Sequence, residues 1–281
     1  MHKLILCTLL MIVWSGAGAL QVMAQIEEPP VLPASDPKTP MDEGVHTGIG
    51  LDIMFNNYGF GVGTEFRKVL TPMKEGYVSL GITGLRDVSE QTFTDFFFGQ
   101  QIVPNKFQRG ITIPMLVGLR QRFFAREVGD NYRFYLSAGI GPVLAFTYPY
   151  FEDENQNGYR EDLREFGISY VEPINDVFSG IGDGSWHLGA AGELKINLDM
   201  GSRFARLSSI QFGYLFYYFG EGLQMMEPNR PARRSGALPG EFPFETQPNG
   251  TGGTELVMEP ANRAQSFFGT PQIRLVFSRM W

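Results

Sequence analysis

From Val45 to Trp281 apolar residues alternate with small or polar ones over segments too long for ordinary strands. Tyr132, Phe134, Leu136, Ala138, Ile140, Pro142, Leu144, Phe146 and Tyr148 form one series, and Arg133, Ser137, Gly139, Gly141, Ala145 and Thr147 fall between them. Val45, Thr47, Ile49, Leu51, Ile53 and Phe55 alternate in the same way with His46, Gly48, Gly50 and Asp52. A period of two means a strand with unlike faces. Eight such segments follow one another, the last ending at Trp281. Soluble strands usually run about 5–6 residues, whereas a tilted strand crossing a bilayer needs about 9–11.

The connections sort into two kinds. Stretches 89–108, 152–184 and 222–263 are long, while Asn56-Asn57-Tyr58 and the links 68–76, 125–131 and 201–207 are short. Starting from Val45, every long stretch falls at the same end, which is expected of a transmembrane up-and-down antiparallel β-barrel with outer loops and short periplasmic turns. An even strand count closes the ring and leaves no edge. Eight strands are expected, or ten if the fourth loop contributes a hairpin. Aromatic residues sit where two membrane interfaces belong: Tyr148, Tyr150, Phe151, Trp186, Tyr218 and Phe267 at the outer ends, and Phe66, Phe123, Tyr132, Phe134 and Trp281 at the inner ends.

The N-terminus fits export. Lys3, the apolar run Leu4–Trp14 and the small residues before Gln25 read as a signal peptide over 1–24. Residues 25–43 form a proline-rich periplasmic lead-in, and the barrel domain occupies 44–281. Cys7, the single cysteine, lies inside the signal, so disulfides, thiolate metal sites and cysteine nucleophiles are excluded from the mature chain. A net charge of −7 without a basic patch argues against nucleic acid as a partner. The 34 glycines and 14% aromatic content suit tightly packed strands with interfacial rings.

Two stretches carry a resemblance. Gln272-Ile273-Arg274-Leu275-Val276-Phe277-Ser278-Arg279-Met280-Trp281 resembles the terminal strand read by the bacterial barrel-assembly machinery, with Ile273, Leu275, Phe277 and Trp281 in place and Arg279 departing from the pattern. Gly59-Phe60-Gly61-Val62-Gly63 and Phe134–Pro142 are similar to the glycine-rich strands of the small bacterial outer-membrane β-barrel superfamily (eight-stranded, OmpA/OmpX-like). The resemblance implies an outer-membrane location, contact with outer-membrane lipids and lipopolysaccharide, and recognition by the assembly machinery through the strand ending at Trp281.

Candidate chemistry is sparse. The inward charges Asp52, Glu65, Arg67, Arg120, Arg122, Glu193, Lys195 and Arg274 carry both signs, which fits an ion-pair network filling the lumen. Asp153, Asn155 and Asn157 followed by Gly158 match the opening of a calcium loop, with Tyr159 adding a carbonyl and Glu161 or Asp162 closing the shell; Arg164 stands where a bidentate glutamate belongs. Calcium is the one cofactor this spacing admits. Ser185, His187 and Asp52 would be needed together for a lipid hydrolase or acyltransferase. Phe96-Phe97-Phe98 is a candidate partner or lipid contact, and Arg230, Arg233 and Arg234 are candidates for lipopolysaccharide phosphates. The leading expectation is a non-enzymatic barrel making surface contacts through its long loops. A lipid-modifying enzyme, a small channel and a secreted lipocalin-like binder are the alternatives.

Overall fold

The computed structural model describes residues 36–94, 101–238, 241–249 and 253–281. The expected signal peptide, the start of the expected lead-in and Phe96-Phe97-Phe98 lie outside them. Eight strands form one closed barrel: β1 (Thr47–Asn56), β2 (Gly59–Thr71), β3 (Lys74–Leu85), β4 (Gln108–Phe123), β5 (Tyr132–Pro149), β6 (Ser185–Met200), β7 (Arg206–Leu223) and β8 (Gln265–Met280). Each pairs antiparallel with the next, and β8 returns to pair with β1 from Gly48↔Met280 to Asn56↔Gln272. The first inner turn is shorter than expected, because β2 runs on to Thr71 and β3 begins at Lys74. The fourth outer loop does hold short hairpins, Asn229–Pro231 with Met258–Pro260 and Thr246–Pro248 with Thr254–Leu256. They stand apart from the barrel sheet, so the count stays at eight.

The two faces of the sheet are unlike. Ile49, Leu51, Val62, Leu80, Val117, Ile140, Leu188, Ile196 and Phe277 are exposed on the outside, while Asp52, Glu65, Arg120, Lys195 and Arg274 are buried within. A lipocalin-type binder buries its apolar face inward, and the observed faces are the reverse. No described helix is long and apolar enough to cross a membrane; strands make up the wall. Phe66, Phe123, Tyr132 and Trp281 are exposed at the inner ends, with Trp186, Tyr218 and Phe267 at the outer ends. Tyr148, Tyr150 and Phe151 depart from that expectation: all three are buried, because the third loop folds back over them. Val45 departs too. It precedes β1, where the chain makes a turn held by its N–H on the Pro40 carbonyl, and it turns inward while His46 is exposed.

Prolines mark a gap in one ladder. β4 and β5 pair through Pro114↔Val143 and resume at Val117↔Ile140 in the same register. Pro114 and Pro142, both beside the gap, lack the N–H that a ladder requires.

Candidate functional site

The lumen is filled in three tiers. The middle one is ionic. Glu65 lies 2.5 Å from Arg67 Nε and 3.4 Å from Lys195 Nζ, and Asp199 lies 3.5 Å from Arg67 and 2.7 Å from Arg120. Glu193 takes Lys195 at 2.7 Å and Arg274 at 3.1 Å, and the Tyr77 hydroxyl donates to it at 2.9 Å. β2 and β6 face each other across the ring, so Arg67–Asp199 and Glu65–Lys195 span the diameter. Tyr77 fits because Gly118 and Gly139 lie beneath it; a Cβ at either would collide with its ring or hydroxyl. This network takes in six of the eight expected charges. Asp52 is buried inward but forms no ion pair among the described residues, while Arg122 reaches Asp130 at 3.6 Å at the inner end. Glu75 and Asp199 join it; Glu75 was hidden in a stretch read as a turn.

The tiers above and below are apolar. Leu85, Leu116, Val143, Leu215, Tyr217, Phe219 and Phe268 pack together in the outer third, with Tyr58 and Met225 from the loops. Val45, Val69, Phe204, Leu207 and Met280 close the inner end. The described part of the lead-in contributes to that closure. Lys38 accepts from Arg122, its N–H donates to Asp130, and Glu43 accepts the Phe204 N–H at 2.7 Å. Arg133 stacks on Phe204 at 3.8 Å.

The outer loops are joined to one another over the mouth. The N–H groups of Phe107 and Gln108 donate to the Met225 carbonyl, and the Glu227 N–H donates to Asn105. Lys106 pairs with Glu90 at 2.5 Å, and both side chains are buried. The third loop meets the fourth where the Arg160 N–H donates to Glu227 Oε1 and Asn229 donates to the Asn157 carbonyl at 2.7 Å. Burial pushes the Glu227 carboxyl up to about 7, and burial also raises Glu172. Arg164 bonds hold the Asp162 carboxyl below its ordinary value.

The calcium-like segment folds into a tight turn. Asp153 accepts the N–H groups of Asn157 and Gly158 at 3.0 and 2.8 Å, and Asn157 Oδ1 accepts the Tyr159 N–H. Gly158 takes φ +75°, a conformation in which its lack of a Cβ matters. Asn155 and Asn157 donate to Glu161 Oε1 at 2.9 and 2.8 Å. Asp162 points elsewhere, into a two-point contact with Arg164 at 2.8 and 2.5 Å. Glu172, from across the loop, accepts the N–H groups of Glu154 and Glu161. No group of three or more His, Cys, Asp or Glu side chains is placed to hold a metal ion among the described residues.

Ser185 and His187 do meet at the rim, 3.0 Å apart, and Thr147 reaches the same Nε2 at 3.0 Å. Asp52 does not join them. It lies on β1, where Gly63 leaves room for its carboxylate, within the middle tier. Arg230 is paired with Glu259 at 2.7 Å, and Arg233 and Arg234 are exposed.

The third loop also has an outer foot. The 3-10 turn Ser179–Asp183 lies against the wall, where a Cβ on Gly180 would meet the Pro149 carbonyl and the Tyr148 ring, and Phe146 fills the space beside Gly184. Arg109 ties the foot down by donating to the carbonyls of Asn175 and Asp176 while lying over the Tyr150 ring. Val177, Phe178 and Ile181 remain exposed there.

No protein-family description matches the sequence, and neither does any curated protein. Among solved structures, the N-terminal β-barrel domain of Pseudomonas aeruginosa OprF is 10% identical, covering 83% of this chain and 98% of that one at a TM-score of 0.33. Ail, the attachment invasion locus protein of Yersinia pestis, is 8% identical over 84% of this chain and 97% of its own at 0.35. Neisserial surface protein A is 7% identical over 84% and 96% at 0.32. At these identities and scores the likenesses speak to neither site nor activity. The structure itself supplies a closed even-stranded meander, an apolar wall with aromatic ends, a filled lumen and long loops at one end only. By architecture, the described chain is a closed eight-stranded antiparallel β-barrel whose apolar, aromatic-ended outer wall suits a transmembrane barrel.

Proposed function

We propose that the protein is a non-enzymatic outer-membrane barrel whose joined outer loops form a surface-contact platform. The observation that carries this reading is the pairing of 105–108 with 225–227 across the mouth, above a lumen that ion pairs already span. A barrel built this way offers no water path. Its most elaborated part is the loop layer. Two measurements on the full chain test the proposal. The protein should sediment with outer membranes and migrate differently unboiled and boiled, and it should give no steady single-channel conductance in a planar bilayer. A soluble protein without the shift, or a steady conductance, overturns the reading.

Lipopolysaccharide phosphates are the proposed ligands of Arg233 and Arg234, and the strand ending at Trp281 is the proposed signal to the assembly machinery. Calcium at the Asp153 turn is a proposal that rests on sequence spacing, now with Glu161 rather than Asp162 beside Asp153, Asn155, Asn157 and Tyr159. It predicts Tyr159-sensitised terbium luminescence that Asp153→Asn abolishes; absence of emission removes it.

A lipid hydrolase is the second reading, favoured by the 3.0 Å Ser185–His187 contact beside the lipid-facing Trp186. Among the described residues no carboxylate bonds to His187, whose Nε2 is shared between two hydroxyls. Loss of a lipid modification in Ser185→Ala would promote it.

A further inference from the structure

The inner rim carries a charge arrangement that the barrel's own residues leave unbalanced. Arg206 on β7 and Arg279 on β8 are directly opposite in the ladder. Both are exposed and both belong to the outward series, since Phe277 and Ser208 pair one step further up the wall. Like charges directly opposite on one face of a sheet repel. Neither arginine has an ion pair or a hydrogen-bonded acceptor among the described residues. Ser208 is small where its neighbours are large, and the wall is hollowed there. A groove of about 730 Å³ runs between Ile49, Leu51, Ser208 and Phe277, with Arg206 and Arg279 at its inner mouth. Its walls are almost wholly apolar.

We infer that this groove is a binding site for an anionic phospholipid of the periplasmic leaflet, its phosphate held between Arg206 and Arg279 and an acyl chain lying along Leu51 and Phe277. The inference rests on the membrane-barrel reading. The arginine pair supplies what a phosphate needs: two planar donor forks, able to hold separate oxygens. The phosphate supplies what the pair lacks, a counter-charge at the depth where long basic side chains reach for the interface. The hollow is continuous with the lipid-facing wall, so an acyl chain fills it without leaving the bilayer. A single snorkelling arginine would attract any zwitterionic headgroup; two in register select for net negative charge.

The native reporter is Trp281, exposed two residues beyond Arg279. With Trp14 and Trp186 changed to Phe in the full chain, it is the one remaining tryptophan. The refolded barrel is placed in vesicles of phosphatidylcholine and phosphatidylglycerol with bromine on the acyl chains of one or the other. Brominated phosphatidylglycerol in a phosphatidylcholine host should quench Trp281 with about fivefold higher apparent affinity than the converse pairing, the worth of one basic side chain at an anionic surface. Arg206→Gln with Arg279→Gln should bring the ratio to about one, and Arg206→Lys with Arg279→Lys should keep part of it. Heat-modifiability confirms that each variant is folded. Equal quenching by both lipids in the unsubstituted rim, or an unchanged ratio in the double Gln variant, overturns the site while leaving the barrel in its membrane. No quenching by either lipid overturns the membrane reading itself.

Discussion

Replacing Glu65 by Gln removes a carboxylate that serves Arg67 at 2.5 Å, Lys195 at 3.4 Å and Arg120 at 3.9 Å. All four side chains are almost wholly buried, so the three cations cannot turn to bulk water. Arg120 keeps Asp199 and Glu75, and Lys195 keeps Glu193. Arg67 loses its closest partner and retains Asp199 at 3.5 Å. Removing one member of a buried pair costs about 3–5 kcal/mol, chiefly because the remaining charge stays desolvated. With a urea slope of about 2 kcal/mol per molar, that lowers the unfolding midpoint by about 1.5–2.5 M. The assay is urea unfolding of the refolded barrel in vesicles, followed by loss of the heat-modifiable form. Glu259→Gln is the matched control, because the Arg230–Glu259 pair is exposed and worth about 0–1 kcal/mol. Pairing Glu65→Gln with Lys195→Met should recover part of the loss by restoring the balance of charge. A midpoint shift for Glu65→Gln no larger than that of Glu259→Gln would refute the reasoning, for it would mean that water reaches the middle tier.

Other outcomes follow from the loops and the wall. Glu227 has a folded value of about 7 against an ordinary 4.5, so the unfolded loop releases its proton first. The loop layer therefore loses stability as pH rises from about 4.5 to about 7 and changes little above that; the hydrogen-exchange protection of 225–229, taken relative to the intrinsic rate at each pH, should be lower at pH 8 than at pH 5, and Glu227→Gln should flatten the difference. Gly141→Ala should sharply reduce refolding, because its Cβ would collide with the Met115 carbonyl across the β4–β5 gap, whereas Gly129→Ala has open space and should refold normally. Phe178→Trp, with Trp14, Trp186 and Trp281 changed to Phe, should be quenched by brominated lipid if the third-loop foot rests in the outer leaflet; quenching by aqueous iodide alone would place it in solvent.

The wall was legible because its chemistry repeats every second residue. The outer tier of the lumen was not, because apolar residues face both ways there. Leu116 lies between Met115 and Val117, Val143 precedes Leu144, and Leu215 lies between Tyr214 and Phe216, so the period of two dissolves into continuous apolar runs. Such runs at the outer third of β4, β5 and β7 were themselves the available signal: a lumen that is apolar near one end. The turn at Asp153 was visible as a spacing, but its occupants were set by contacts from farther away. Glu172 is eleven residues beyond Glu161, and Glu227 reaches Arg160 from another loop. Asp162 was diverted by a nearby arginine, a competition that spacing alone does not resolve. The burial of Tyr148 depends on where residues 176–184 fold back, which no local pattern encodes.

The ionic tier bears on the order in which the barrel is made. Its ion pairs join β2 to β6, β4 to β6 and β6 to β8, and few of them join adjacent strands. A partly assembled sheet can satisfy its hairpin ladders one after another, and it already holds Glu65 beside Arg67 and Glu193 beside Lys195, yet it cannot form Arg67–Asp199 or Glu65–Lys195 until it has curled far enough to bring opposite walls together. The pairs that cross the lumen thus arrive late, after those made within a strand. A slip of two residues along the β1–β8 seam would preserve every inside-outside choice and still move the partners of the cross-lumen pairs away from each other. The seam is thereby checked by charge as well as by shape, and a barrel closed in the wrong register would be the less stable product.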